Sequence, residues 1–228
     1  MKVAVFGARG RMGQEVCRVV EAADDLELVA AIDVGDDRAA ALDADVVVDF
    51  TVPDAVMDNL AWCAGHGLHA VVGTTGFTPQ MLDAVRGLFD GSGANAVVAA
   101  NYSIGGLLMM AWAEQAARLY ESVEVVELHH PHKVDAPSGT AVTTARRIAA
   151  ARAAAGLGPV PDATTHDPDG ARGAVVDGVH VHAVRMRGLF ANQQVVFGNE
   201  GEGLTITHNS FDRSSYMPGV LAAVRAVP

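Results

Sequence analysis

Short runs that are apolar on both faces alternate with amphipathic stretches along the first hundred or so residues. Val3-Ala4-Val5-Phe6 is apolar throughout, as in a buried parallel strand, and the spacing from about Met12 to Ala23 predicts a helix. Leu26 to Asp33 predicts a second strand and Asp45-Val46-Val47-Val48-Asp49-Phe50 a third. Thr51-Val52-Pro53-Asp54 then leads into a helix reaching about Ala64, with Pro53 placed to open it. His69 to Gly73 predicts a fourth strand, Thr78-Pro79 starts a helix over Gln80 to Phe89, and Ala94 to Ala100 predicts a fifth strand. Strict alternation implies right-handed crossovers and a doubly wound parallel sheet.

After Asn101 the pattern changes. Ile104 to Tyr120 predicts a long helix, Val123 to His130 a strand, and Ala141 to Ala155 an Ala-rich helix stopped by Gly156. Gly156 to Gly178, with Pro159, Pro161 and Pro168, predicts a long connection. Val179 to Met186, Gln193 to Phe197 and Gly203 to His208 predict three antiparallel strands, and Arg213 to Ala226 a closing helix. The expected fold class is α/β, with a doubly wound parallel-sheet domain over 1–101, to which the last helix, within 211–228, returns. An α+β domain with an open mixed sheet is expected over 102–210.

Of the 228 residues, 50% are hydrophobic, enough for a sizeable core, and 16 Lys plus Arg against 27 Asp plus Glu leave a net charge of −11. That balance speaks against general nucleic-acid binding, which needs a cationic surface. The apolar run at the N-terminus is too short for a signal peptide and no run is long enough to span a membrane, so the expectation is no membrane partner. Two scattered cysteines, Cys17 and Cys63, form no disulfide framework and fit the reducing cytoplasm.

Gly7-Ala8-Arg9-Gly10-Arg11-Met12-Gly13 follows the first strand and opens the first helix. Glycines there let the backbone approach a pyrophosphate facing the helix N-terminus, although a Gly-rich structural turn has the same composition. Asp33 ends the second strand about twenty residues on, where a carboxylate accepts hydrogen bonds from adenosine ribose hydroxyls. Together they predict a Rossmann-like dinucleotide site. Asp33 favours NADH, Arg9 and Arg11 either pair with the extra phosphate of NADPH or are ordinary solvated arginines, and use of both cofactors is expected. Gly73-Thr74-Thr75-Gly76 and Ala99-Ala100-Asn101-Tyr102 sit at strand ends where ligands of such sheets bind, or are ordinary turns.

The densest constellation is Glu127 to Thr140. His129, His130, His132 and Lys133 fall within five residues, which is expensive in a core and common where protons move. Ser138-Gly139-Thr140 opens the next helix, and its amides and hydroxyls beside Lys133 form a receptor for a carboxylate or phosphate. Zinc is the competing ligand, but Pro131 bends the run, no Cys is near, and the pair His180 and His182 reads as a surface or core feature, so no metal is expected.

Gly7 to Gly13, Val72 to Phe77, Gly201 to His208 and above all Glu127 to Thr140 resemble the dihydrodipicolinate reductase (4-hydroxy-tetrahydrodipicolinate reductase) family of the lysine and diaminopimelate pathway, and the resemblance spans nearly the whole chain. Tyr102 stands where related sequences often carry Phe. The resemblance implies that Gly7, Ala8, Arg9, Gly10, Arg11 and Met12 bind the cofactor diphosphate and Asp33 the ribose. Gly73, Thr74, Thr75, Ala99, Ala100, Asn101 and Tyr102 would then line the nicotinamide side. It also implies His129 as proton donor or acceptor, Lys133 as proton donor, and His130, Gly139 and Thr140 as contacts to a small dicarboxylate, which agrees with the anion receptor read at Ser138 to Thr140. The implied reaction is hydride transfer from NAD(P)H giving tetrahydrodipicolinate, in a homotetramer built through the second domain's sheet. Domain closure about Asn101 and Phe211 is the expected motion. The rival readings are another two-domain dehydrogenase, acting on a semialdehyde or sugar, and a non-catalytic NAD(H) sensor.

Overall fold

The computed structural model describes residues 1–228, and β1 (Lys2–Phe6), α1 (Arg11–Glu21), β2 (Glu27–Ile32), β3 (Val46–Asp49), α2 (Pro53–Gly65), β4 (His69–Val72), α3 (Pro79–Phe89) and β5 (Ala96–Val98) build the first unit. The five strands form one parallel sheet in the order β2-β1-β3-β4-β5. In an alternating strand both faces are usable, and here both are apolar. Val3 and Val5 pack with Val46, Val48 and Val71, while Ala4 and Phe6 face Ile32, Val47 and Leu68 on the other side. Burying each such valine contributes about 1.5–3 kcal/mol. α1 buries Val16 and Val20, a one-turn spacing, and α3 is started by Thr78, whose hydroxyl accepts from Met81 N at 3.2 Å ahead of Pro79.

The chain leaves this unit at Ile104 and returns at Arg213, giving compact units Met1–Ile104 with Arg213–Pro228, and Gly105–Asp212. The second unit carries α4 (Ile104–Ala116, apart from its first residue), β6 (Ser122–His129), α5 (Gly139–Ala154), β7 (Ala174–Val176), β8 (Val179–Arg185), β9 (Ala191–Asn199) and β10 (Glu202–Ser210), and α6 (Met217–Ala226) packs Val220 and Val224 into the first unit's core. The second sheet runs β10-β9-β6-β8-β7 and is mixed. Its buried face sets Val123, Val125, Val195 and Phe197 against Met109, Ala113, Ala145 and Ile148 of α4 and α5. No helix is long and apolar enough to cross a membrane.

Three local readings are corrected. β7 lies inside the stretch read as one loop: Asp177 and Gly178, at φ 47° and 85°, form a two-residue hairpin turn that pairs β7 with β8. Asp-Gly is a strong hairpin signal, outweighed in the sequence by the surrounding Pro and Gly. Second, β8 does not pair with β9: β6 lies between them, parallel to β8 and antiparallel to β9. Third, α4 stops at Ala116, because the bonding tightens from i−4 to i−3 at Arg118 and Leu119.

Candidate active site

β1 ends at Phe6, Gly7 turns at φ +76°, and its amide is held by Ile32 O at 2.9 Å. A Cβ at Gly7 would fall 2.7 Å from Phe50 O, and one at Gly13 would fall 2.0 Å from Gly7 O. Both glycines are therefore required by close backbone approach, which presses the start of α1 onto the turn. Gly10 N closes the turn on Gly7 O at 3.0 Å, Ala8 is buried, and Met12 packs half-buried against the core. Asp33 accepts from Arg9 N at 2.7 Å and Val34 N at 2.8 Å, and these two backbone bonds, with the Arg9 charge, hold its carboxyl below the usual range. The Arg9 guanidinium lies 3.0 Å from Asp36, and Arg11 is exposed as the first residue of α1.

A cavity of about 360 Å³ opens here, at the ends of β1, β2 and β3, lined by Gly7, Gly10, Asp33, Phe50, Thr51 and Asn59 among others. This is the switch point of the parallel sheet, where doubly wound folds bind ligands. Two of its surroundings were not singled out by the sequence reading. Arg38 also lines the cavity, donating to Asn59 Oδ1 at 3.2 Å and lying over the Trp62 ring at 6.0 Å. Asp49, buried at the end of β3, accepts from Thr51 Oγ1 at 2.7 Å, Asn59 Nδ2 at 2.8 Å and Thr74 Oγ1 at 3.0 Å. A carboxylate closing an all-valine strand was the available signal.

Asp49 thus ties to the stretch Gly73, Thr74 and Thr75 that follows β4, through Thr74 Oγ1 and, from its backbone O, Gly73 N at 2.9 Å. A Cβ at Gly73 would strike the Phe50 ring at 2.0 Å, Thr74 is buried and Thr75 exposed. Ala99 N bonds Val72 O at 3.1 Å, Ala100 is exposed, and Asn101 Oδ1 accepts from Ser103 N at 2.8 Å. The Tyr102 hydroxyl donates to Val72 O at 2.8 Å; burial pushes that phenol upward, so it stays protonated.

In the second unit Glu127 projects from β6 into the core and is fully buried. Its oxygens accept from His129 Nδ1 at 2.6 Å, Ser138 N at 3.0 Å, and both terminal nitrogens of Arg185 at 2.7 and 2.8 Å. Arg185 also donates to Asp135 O at 2.7 Å, and the Asp135 carboxylate holds Lys133 Nζ at 2.7 Å. Burial, ahead of the Lys133 and Arg185 charges, pulls His129 below the usual histidine range against the opposing pull of Glu127. Ser138 caps α5, its hydroxyl accepting from Ala141 N at 3.2 Å. The first intrahelical amide is Val142, bonded to Ser138 O at 3.0 Å, so the amides of Gly139 and Thr140 precede the ladder. His130 is half-buried beside His132 and Phe190, and its Nδ1 makes no hydrogen bond within the chain. Glu127 carries no signal of its role in the sequence, and its partner Arg185 lies 58 residues further on, beyond the reach of any local pattern.

No three His, Cys, Asp or Glu side chains are grouped to hold a metal ion. His182 Nε2 lies 2.6 Å from Glu124, and His180 is taken by Arg172 O at 2.7 Å and Asp162 at 3.2 Å.

Family comparison covers both units. The model described as Dihydrodipicolinate reductase, N-terminus, matches residues 1–102, and the one described as Dihydrodipicolinate reductase, C-terminus, matches 105–228. The 4-hydroxy-tetrahydrodipicolinate reductase of Cutibacterium acnes is 64% identical over all of this chain and 93% of its own length. That of Streptomyces griseus is 60% identical, over all of this chain and 92% of its own. Among solved structures, a dipicolinate-bound dihydrodipicolinate reductase from Paenisporosarcina sp. TG-14 superposes with a TM-score of 0.89 at 34% identity, covering 100% of this chain and 94% of that one. With the glycine turn and Asp33 in one unit, the Glu127 to Thr140 constellation in the other and family matches across both, this chain belongs to the dihydrodipicolinate reductase family.

Proposed function

We propose that the chain reduces a cyclic, unsaturated dicarboxylate to tetrahydrodipicolinate on the diaminopimelate route to lysine, using either NADH or NADPH. One observation carries this reading: a single hydrogen-bonded network ties the His129 imidazole, the Lys133 ammonium and the opening of α5 together. Rival dehydrogenases for a sugar or semialdehyde have no need of an anion-binding helix start beside that imidazole and that ammonium. A non-catalytic sensor has no need of the proton-handling groups.

When bound, the reduced nicotinamide supplies hydride. Gly7, Ala8, Arg9, Gly10, Arg11 and Met12 would hold a diphosphate, since this turn runs directly into the N-terminus of α1 and Gly7 and Gly13 let it close without a Cβ clash. Asp33, aimed by two backbone amides, would accept from the ribose hydroxyls, with Arg9 beside it and Arg11 exposed at the start of α1 for a 2′-phosphate. Gly73, Thr74, Thr75 and Ala99, Ala100, Asn101, Tyr102 would line the nicotinamide end. On the substrate, the Gly139 and Thr140 amides, the Thr140 hydroxyl and His130 would hold carboxylate oxygens. Ser138 keeps a hydroxyl proton to donate while it caps α5. Lys133 would pair with carboxylate charge and deliver the proton that follows hydride, with His129 as its proton-transfer partner.

The test is NAD(P)H oxidation on substrate made in situ from aspartate semialdehyde and pyruvate by the preceding synthase. Turnover with both cofactors is expected. A preference beyond about a thousandfold, on the order of 4 kcal/mol, would show that only Asp33 or only the arginines operate, and no oxidation with either would end the reading. The Paenisporosarcina protein is dipicolinate bound. Here dipicolinate should compete with substrate, and Thr140→Val should weaken it about ten- to hundredfold, the loss of roughly 1.5–3 kcal/mol for a hydrogen bond to a charged group. Unchanged inhibition would move the carboxylate site elsewhere.

The assembly we propose is a homotetramer joined through the second unit's sheet. α4 and α5 pack on one face, and the other presents Val126, Leu128, Val184 and Val196, the last 40% exposed. Light scattering should give about four times the 23.6 kDa chain mass, and a monomer would reject this. The cytoplasm is the compartment we propose, since it keeps the unpaired Cys17 and Cys63 reduced; cell fractionation checks it.

A further inference from the structure

We propose that Glu127 is a positioning residue that dictates which ring nitrogen of His129 carries the proton and anchors the anion-holding start of α5 to the same carboxylate. This deepens the proposed function and rests on His129 and α5 forming the substrate site there.

A carboxylate in an apolar core is unfavourable unless every lone pair is met, and Glu127 meets four donors: His129 Nδ1, Ser138 N and the two nitrogens of the Arg185 fork. As a stability device such a group is poor, because a buried ion pair contributes little over apolar residues of the same volume. Its value is directional. Arg185 pairs with it in a bidentate fork and is itself fastened to Asp135 O, so Glu127 stays ionised, held below the ordinary carboxylate range by Arg185 and His129 despite burial. An ionised carboxylate only accepts. His129 Nδ1 must therefore donate, and the neutral ring carries its lone pair on Nε2.

The charged groups around His129 are Glu127 on its own strand, Arg185 from β8, and Lys133 and Asp135 from the connection to α5; the facing residue on β9 is Ala191. With burial and the two cations pulling His129 down, the imidazole is neutral at physiological pH. This divides the labour: His129 presents an acceptor at Nε2, and Lys133 is the donor. The second oxygen of Glu127 holds the Ser138 amide, which fixes the cap and leaves the Gly139 and Thr140 amides to the anion. One side chain thus registers the proton-handling ring against the carboxylate receptor.

The test is ¹⁵N NMR of His129 with pH–rate profiles of wild type, Glu127→Gln, Glu127→Asp and His129→Gln. Wild type should show a protonated Nδ1 and an acceptor-type Nε2. In Glu127→Gln that signature should be lost, kcat should fall by roughly 10–100-fold, the range for removing a partner that orients a reacting imidazole, and KM for NADH should stay within about twofold. Its acid limb should move to lower pH, because the carboxylate that favoured protonated His129 is gone. Glu127→Asp, which keeps the charge, should recover part of kcat. A purely structural Glu127 would lower thermal stability and leave tautomer and pH limb unchanged in the folded fraction. An Nε2–H tautomer in wild type, which decides the matter even if Glu127→Gln fails to fold, overturns the proposal. So does an unchanged profile in that variant while His129→Gln still loses kcat, and in both cases the proposed function stands. Wild-type kcat in His129→Gln overturns the proposal and takes His129 out of the proton transfer, while turnover itself still supports the proposed reduction.

Discussion

Lys133→Ala is expected to lower kcat by about a hundredfold or more, within the roughly 10²–10⁴-fold range of general acid catalysis. Lys133 sits on the short connection between β6 and α5, its amide closing a turn on His130 O at 3.2 Å and its ammonium 2.7 Å from Asp135. That ion pair orients the amine without burying it, so the cation is available both as charge and as acid. The two roles separate kinetically. Loss of ground-state charge pairing raises KM alone, whereas loss of the proton donor lowers kcat and kcat/KM together. His129→Gln should also lower kcat, with affinity for the reduced cofactor nearly unchanged, because His129 belongs to the second unit and the glycine turn to the first. Steady-state kinetics on both variants, with cofactor binding and fold checked separately, decides this. Wild-type kcat in both would remove the loop from catalysis.

Gly13→Val should abolish measurable dinucleotide binding, with at least a hundredfold loss of NADH affinity by fluorescence titration, and should lower the melting temperature by several degrees. The first added carbon alone meets Gly7 O at 2.0 Å, Gly7 C at 2.7 Å and Ala8 Cα at 2.8 Å, all backbone. None of these can rotate away, so α1 must lift from the turn and its N-terminus moves off the place where a diphosphate would lie. Overpacking of this kind costs typically 1–3 kcal/mol, and each kcal/mol is worth about 2–4 °C in a chain of this size. Gly10→Ala is the control: its Cβ meets only Gly7 O, at 3.1 Å, and a few tenths of an ångström relieve it. It should bind within about tenfold of wild type. Normal NADH binding and melting in Gly13→Val would show that the turn does not carry the cofactor.

Where a side chain's role follows from its neighbours in the chain, the sequence was legible. Val3 to Phe6 and Val46 to Val48 are apolar at every position, which only a strand covered on both faces tolerates, and they form β1 and β3 at the centre of the parallel sheet. Thr78-Pro79 and Ser138 announce α3 and α5 because capping is a contact over three residues. Gly7 and Gly13 are legible for the same reason, one constrained by its own positive φ and the other by its approach to Gly7 O six residues back. The short β7 was not, since Ala174-Val175-Val176 becomes a strand only through pairing with β8.

By itself, then, the sequence determined the order of elements apart from β7, the split after the fifth strand, the glycine turn with Asp33, and the loop that carries His129, Lys133 and the start of α5. All are encoded by spacing within a few residues or within one βαβ unit. Tertiary structure alone decided how distant residues meet. It placed β6 between β8 and β9, set Arg185 across Glu127, turned Asp49 into the anchor of Asn59 and Thr74, and brought Arg38 to the cavity wall. The physical reason is that hydrogen-bond partners of a buried charge are chosen by proximity in space. A lone Glu, Arg or Asp in the chain has no period and no local partner to announce the bond it will make.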